Sequence, residues 1–224
     1  MGDIRYLKNG IFEGGEQETL GNKKVAVIGC GGLGGYVIEM LARLGIGHLV
    51  LCDYDVFDES NLNRQLMSTE SNVGNNKALE AARRVLEINS HVRMTVHDEK
   101  FTSRNGRGII EGCDVVIDAL DAPSDKVMLE SFCEEMNLPL VHGAISGWFG
   151  QVAVVFPGGR VLRKFYEGKL NCDEDYGNPS FTPALVASLQ VSEAIKVLLG
   201  RGEVMSNKMT LIDLYFNEIK TVEV

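Results

Sequence analysis

Residues Lys24-Val25-Ala26-Val27-Ile28-Gly29-Cys30-Gly31-Gly32-Leu33-Gly34-Gly35 constrain this chain more than any other stretch. An apolar β-branched run that breaks into glycines and resumes with helical spacing is a buried strand, a tight turn and a helix start. Each glycine has a physical job. Gly29 permits the turn, Gly31 with Gly32 beside it lets backbone N–H groups approach a phosphate, and Gly34 lets helix and strand pack closely. The helix N-terminus behind the loop adds partial positive charge and unpaired donors. Asp53 follows Gly34 by nineteen residues, at the end of His48-Leu49-Val50-Leu51-Cys52. An acidic side chain there accepts bonds from ribose hydroxyls. Glycine runs of this kind recur by chance in loops. With a strand before, a helix after and a carboxylate at the right distance, this one reads as a nucleotide site.

Composition narrows the partners. A net charge of −9 over 224 residues argues against a nucleic acid, whose phosphates call for a basic excess. It leaves ATP open, since a nucleotide needs only a few local cations. No apolar run approaches the roughly 20 residues that span a membrane, so no membrane partner is expected. Met1-Gly2-Asp3-Ile4-Arg5 lacks the apolar core of a secretory signal, and Tyr6 stands where a myristoylation motif needs Ser or Thr. The expected location is cytoplasmic. Five cysteines, at 30, 52, 113, 133 and 172, form no Cys-x-x-Cys pair, so neither a disulfide framework nor a zinc site is expected.

The elements alternate. After an N-terminal helical segment (1–20), a core over 21–149 reads as strands 25–28, 48–52, 93–97, 114–118 and 138–142. Between them lie helices 33–44, 77–88, 107–111 and 124–136. Val37, Met40, Leu41 and Leu44 share one helical face, and Leu79, Ala82 and Leu86 share another. Strands alternating with helices imply right-handed crossovers and a Rossmann-like, doubly wound, mainly parallel α/β sheet. Over 150–224 the pattern becomes an antiparallel extension. Strands 151–156 and 160–165 flank the turn Pro157-Gly158-Gly159, and a polar loop spans 169–180. A helix follows, with Thr182 as cap, Pro183 in the first turn, and Leu185, Leu189, Ala194, Val197 and Leu198 as core. A hairpin over 209–222 closes the single domain.

Ligands of such sheets bind outside the carboxyl ends of the strands. Asp53 and Asp55, then Asn61, Arg64 and Gln65, follow the second strand; Asp118 and Asp121 follow the fourth. Carboxylates and an arginine on one edge suit a metal-bound polyphosphate better than a nicotinamide. Lys77 sits in the first turn of its helix, where a cation opposes the macrodipole by roughly 0.3–1 kcal/mol. A lysine tolerated there is aimed at an anion or is simply solvated.

Together these motifs resemble the ThiF/MoeB/HesA family, bacterial relatives of ubiquitin-activating enzymes. The residues carrying the resemblance are the glycine loop, Asp53-Tyr54-Asp55, Ser60-Asn61-Leu62-Asn63-Arg64-Gln65, Val73-Gly74-Asn75-Asn76-Lys77 and Asp118-Ala119-Leu120-Asp121. The resemblance spans residues 5–199. It implies ATP- and Mg2+-dependent adenylation of the C-terminal glycine of a small ubiquitin-like sulfur-carrier protein ending in Gly-Gly, by a homodimer. By the same resemblance Gly29, Gly31, Gly32, Gly34, Asp53, Asp55, Asn61, Arg64, Gln65 and Lys77 bind ATP, Asp53 at the ribose. Arg64, Lys77 and Asp121 act in catalysis, and Asp121 holds Mg2+.

Three departures stand against it. Lys8, in Arg5-Tyr6-Leu7-Lys8, replaces the arginine that family members extend into a neighbouring subunit, and an ammonium lacks the bidentate fork. The zinc-binding Cys-x-x-Cys pairs of many members are absent, so no zinc is expected. Cys172 is the one candidate for later sulfur chemistry, and the acids after it weaken a thiolate. His142 reads as structural, and Trp148 as packing on the sheet or on the carrier's tail. Two other classes stay open: a non-catalytic ATP- or carrier-binding module, and a nicotinamide-dependent oxidoreductase.

Overall fold

Strand residues alternate strictly between two apolar layers. In the computed structural model, which describes residues 3–167 and 177–224, Val25 and Val27 of β1 (Lys24–Ile28) enter one core while Ala26 and Ile28 enter the other. Both faces of a strand are buried only when helices cover both sides of the sheet. The first layer holds α1 (Glu16–Gly21), α2 (Gly32–Leu44), α3 (Lys77–Ile88) and the 19-residue α7 (Phe181–Leu199). The second holds α4 (Gly106–Ile110), α5 (Pro123–Glu135) and α6 (Val161–Tyr166).

The sheet has eight strands in the order β3-β2-β1-β4-β5-β6-β7-β8. β1, β2 (His48–Cys52), β3 (Arg93–His97), β4 (Val115–Asp118) and β5 (Leu140–Ser146) are parallel. β6 (Phe149–Val155), β7 (Lys208–Asp213) and β8 (Glu218–Glu223) extend the sheet antiparallel. β5 runs four residues past the expected end at His142. It turns through Gly147, at φ +57°, straight into β6, pairing Ser146 with Phe149. A glycine at positive φ suits so short a hairpin. The expected Rossmann-like sheet with an antiparallel C-terminal extension is the observed fold.

Five local expectations fail, the first four for a tertiary reason. Residues 161–166 form helix α6 rather than a strand. Arg160 enters it at φ +53° with no side-chain cap of its own. Its first amides instead meet a carboxylate from α5: Glu130 Oε1 accepts from Leu162 N at 2.7 Å and Oε2 from Arg163 N at 3.0 Å. On α3, Leu79 and Leu86 are 49% and 53% exposed, and Ala78, Ala81, Ala82 and Val85 face the sheet. Lys77 and Glu80 are buried, bonded to Asp55 and Asn75, and turning them inward rotates the leucines out.

On α7, Thr182 is not the cap. Its hydroxyl is buried and donates to the Gly147 carbonyl at 2.7 Å, while Ser180 takes the cap position. That register also turns Leu185 outward and Val186, Gln190 and Ala194 inward. Finally, α7 is long and apolar enough by composition to cross a membrane, against the expectation of no such run. Its buried residues pack on α2, β5 and β6.

Glu130→Leu should leave the two α6 amides without their acceptor and lower stability by about 2 kcal/mol, with Glu130→Gln recovering part of it. Chemical denaturation measures this; a loss below about 0.5 kcal/mol would show that α6 does not depend on the carboxylate.

Candidate functional site

The carboxyl ends of β1, β2 and β4 form one edge, and the glycine loop lies across it. Gly29 has φ +98°, and a Cβ there would sit 2.4 Å from the Ala119 carbonyl oxygen. A Cβ on Gly34 would lie 1.9 Å from the Gly29 oxygen. These two glycines are demanded by the protein itself. Gly31 and Gly32 are different: a Cβ on either meets only ordinary contacts, 3.7 Å or more from Gln65, Arg64 and Pro183. Their missing side chains leave room for something else.

Asp53 braces the loop. Its Oδ2 accepts from Cys30 N at 2.7 Å and its Oδ1 from Asp55 N at 2.9 Å. Burial pushes its pKa up despite those bonds and the nearby Lys77. Lys77 is 6% exposed, so it is no solvated surface lysine. Its Nζ lies 2.5 Å from Asp55 Oδ2. Burial raises the Asp55 pKa, but the Lys77 bond outweighs it and holds the carboxyl below its ordinary value. Asn76 caps α3 by accepting from Leu79 N, and its amide donates to the Asp53 and Asp55 carbonyls. Those bonds tie the start of α3 to the end of β2.

Between them runs a 3-10 turn, Glu59–Asn61. Asn61 is buried and accepts from Asp58 N at 3.1 Å, so it shapes this turn. Arg64 Nη1 donates to the Ser60 carbonyl and to Asn63 Oδ1, both at 2.9 Å, and pairs with no carboxylate among the described residues. Its Cγ lies beside Gly32. Gln65 is buried against Gly31, and its Oε1 has no hydrogen-bond partner among the described residues.

The two aspartates after β4 part ways. Asp121 is exposed, with no hydrogen bond or ion pair among the described residues. Asp118, expected at the same edge, is instead fully buried beneath it with Lys126 and His142. His142 is structural, as its sequence setting suggests. Lys126 escaped notice in the sequence; its signal is a cation on the helical face it shares with Leu129 and Cys133.

Lys8 is exposed and far from the loop. Tyr6 packs over Gly45 at the C-terminal end of α2, while the glycine loop lies at the other end. Thirteen helical residues separate them by roughly 20 Å. Cys30, Cys52, Cys113 and Cys133 are buried, and burial raises all four thiols, Cys52 to about 12 and Cys113 to about 11. Cys172 lies outside the described residues, as does most of the expected 169–180 loop. Trp148 stacks on Phe181 and Tyr215, with ring centroids 4.7 and 5.7 Å away.

The chain as a whole is similar to known proteins. The ThiF family model matches residues 5–224. The chain is 36% identical over 204 residues to adenylyltransferase and sulfurtransferase MOCS3 of Drosophila persimilis, covering 88% of this chain and 45% of that protein. It is 33% identical over 211 residues to the SAMP-activating enzyme E1 of Haloferax volcanii, covering 92% and 78%. It is 32% identical over 220 residues to a probable molybdopterin-synthase adenylyltransferase of Porphyra purpurea, covering 92% and 56%. The chain thus spans less than half the length of the fly relative. Among solved structures, E. coli MccB with ATP superposes with a TM-score of 0.85 at 22% identity, covering 99% of this chain and 71% of that one. That likeness concerns the fold.

The two classes of glycine are separable by experiment. Gly34→Ala should fail to yield a folded protein. Gly32→Ala should melt within about 4 °C of the parent, less than 1 kcal/mol, yet bind ATP at least tenfold more weakly. Thermal melts and nucleotide titrations check both, and unchanged ATP affinity in Gly32→Ala would show that the loop's open side receives no phosphate.

Proposed function

The chain belongs to the ThiF family, and from that premise we propose that it is an ATP- and Mg2+-dependent adenylyltransferase. Its substrate is the C-terminal glycine carboxylate of a small ubiquitin-like sulfur-carrier protein with a Gly-Gly tail, and it works as a homodimer. The observation that carries the reading is the convergence of Gly31, Gly32, Arg64, Lys77 and Asp121 on one sheet edge. The names of the relatives support it. So does a charged edge, where a nicotinamide ring calls for a neutral apolar wall.

The residues fit a nucleotide. Gly31 and Gly32 leave a cradle that a Cβ would fill, and the buried Gln65 Oε1 beside it lacks a partner among the described residues. Asp53 would take the ribose through the lone pairs that its bonds to Cys30 N and Asp55 N leave free, while Arg64 and Lys77 would line the phosphate path. Asp121 would hold Mg2+, which supplies positive charge on the phosphates.

The carrier's carboxylate is already a nucleophile, so no side chain has to remove a proton. One carboxylate oxygen attacks the α-phosphorus, the bond to the bridging oxygen breaks, and pyrophosphate departs with that electron pair. The protein's part is to align the reactants and to neutralise charge on the α-phosphate and the leaving group. Arg64 is suited to this because no carboxylate among the described residues competes for its guanidinium. Lys77 must loosen its bond to Asp55 before it can contribute fully. Lys8 lies too far to reach its own chain's loop, so we assign it to the neighbouring subunit's site.

ATP–pyrophosphate exchange, measured with each Gly-Gly-tailed carrier of the same organism, tests the reading. Exchange should depend on one carrier, and Asp121→Ala should lower it at least 100-fold with the fold intact. Lys8→Ala should also lower it, and mixing Lys8→Ala with Asp121→Ala subunits should restore part of the loss. ATP binding without exchange on any carrier would favour a non-catalytic binding module. Failure of the mixture to recover activity would retire the trans role of Lys8.

A further inference from the structure

Directly behind the Asp121 turn lies a set of buried polar groups that the adenylation chemistry does not use. Asp118 and His142 are 0% exposed and Lys126 is 2% exposed. Lys126 Nζ reaches both Asp118 oxygens, at 3.3 and 3.2 Å, and donates to the Gly143 carbonyl at 2.9 Å. His142 Nδ1 donates to Asp118 Oδ2 at 2.7 Å, and its Nε2 lies 3.4 Å from the Tyr166 hydroxyl. Gln190 donates to the Asp118 backbone carbonyl at 2.9 Å. Breaking one side of such a buried pair is strongly destabilising, whereas replacing both charges by apolar groups is often neutral. Packing alone therefore does not explain why the pair sits here.

Its position does. Asp118 Oδ1 also accepts from Leu120 N at 3.0 Å, closing a side-chain-to-backbone turn over Ala119-Leu120. The next residue is Asp121. On the other flank the Ala119 carbonyl abuts Gly29, and the Ala119 amide donates to the Ile28 carbonyl at 2.9 Å. The turn joins the glycine loop to Asp121, and its conformation is fixed from beneath by Asp118. Asp118 is held in turn by Lys126.

We propose that Lys126 and Asp118 are positioning residues for Asp121: the buried pair orients the 119–121 turn and so sets how tightly the site takes a divalent cation with ATP. Lys126 also cancels the charge of Asp118. A divalent cation at the edge therefore meets the Asp121 carboxylate rather than being drawn toward a second, buried one. The role rests on the reading of Asp121 as the Mg2+ ligand, and neither residue touches substrate.

The test uses the full chain, with Asp118→Ala/Lys126→Leu, Lys126→Gln and Lys126→Arg beside the parent and Asp121→Ala. Amide exchange at Leu120, followed by NMR without nucleotide or metal, reads the turn. Titrating Mg2+ into protein with a fluorescent ATP analogue reads the metal. In the double variant Leu120 should exchange at least tenfold faster and the Mg2+ midpoint should rise at least tenfold. Affinity for the analogue in EDTA should stay within threefold. Lys126→Gln should shift both readouts in the same direction, and Lys126→Arg should restore the parent's values. Unchanged exchange and midpoint in the double variant, or in Lys126→Gln where the double variant does not fold, would overturn the positioning role alone. A parent protein whose ATP binding ignores Mg2+, as Asp121→Ala is expected to do, would overturn the metal reading and this role with it.

Discussion

Helix α2 approaches strand β1 until the Gly29 carbonyl fills the space where Gly34 would carry a Cβ. The site depends on that contact. Because the helix is so close, its N-terminus opens at the sheet edge rather than above the sheet face, and its unpaired amides face outward beside Gly31 and Gly32. The loop has little freedom left. Gly29 N donates to the Cys52 carbonyl, Cys30 N is held by Asp53, and the Ala119 carbonyl blocks the far side. The two strands that flank β1 thus hold a loop of a few residues, β2 through two restraints and β4 through one. A phosphate cradle that must not reorganise during reaction is best built this way.

The charges at this edge fall into two groups. Asp53, Asp118 and Lys126 are bonded within the protein: Asp53 to two backbone amides, Asp118 and Lys126 to one another. Arg64 and Asp121 have no ionic partner among the described residues, and Lys77 is held by a carboxylate that is itself half exposed. The buried group determines shape, and the exposed group is left to meet a ligand. A buried Asp118 without its lysine would take up a proton or drag solvent into the sheet, because desolvation is the largest influence on its carboxyl. The Lys126 charge and the His142 bond together reverse that influence.

Much of this was legible in the residues. The glycine loop, Asp53 at the end of the second strand and Lys77 at the start of a helix carry strong local signals, because turn geometry and strand length depend on neighbours in sequence. What was not legible was decided at long range. Nothing near Val161 announces a helix, since its cap is Glu130, more than thirty positions earlier. The leucines of α3 have sound helical spacing and still face solvent, because Lys77 and Glu80 compete for the inner face and have partners there. Asp118 and Asp121 read as equivalent carboxylates, three residues apart at one strand end. Only the lysine from α5 and the histidine from β5 separate a structural residue from an exposed one.

The N-terminal segment extends the same logic across the molecule. Helices α2 and α3 begin at Gly32 and Lys77, and both end beneath residues 5 and 6. The Tyr6 ring covers Gly45, and Asn89 joins Arg5, the Tyr6 hydroxyl and the Ala42 carbonyl. Asn89 is almost wholly buried, so this junction is part of the core rather than a loose tail. It fixes Lys8 a helix length from its own glycine loop. Within one chain, Arg64 is then the one cation on the proposed phosphate path that no carboxylate already holds among the described residues. A polyphosphate carries more negative charge than one guanidinium and a half-committed lysine can balance. On the proposed reading the remainder comes from a metal ion at Asp121 or from a second subunit, and the placement of Lys8 suits the second source because it lies a helix length from its own chain's loop.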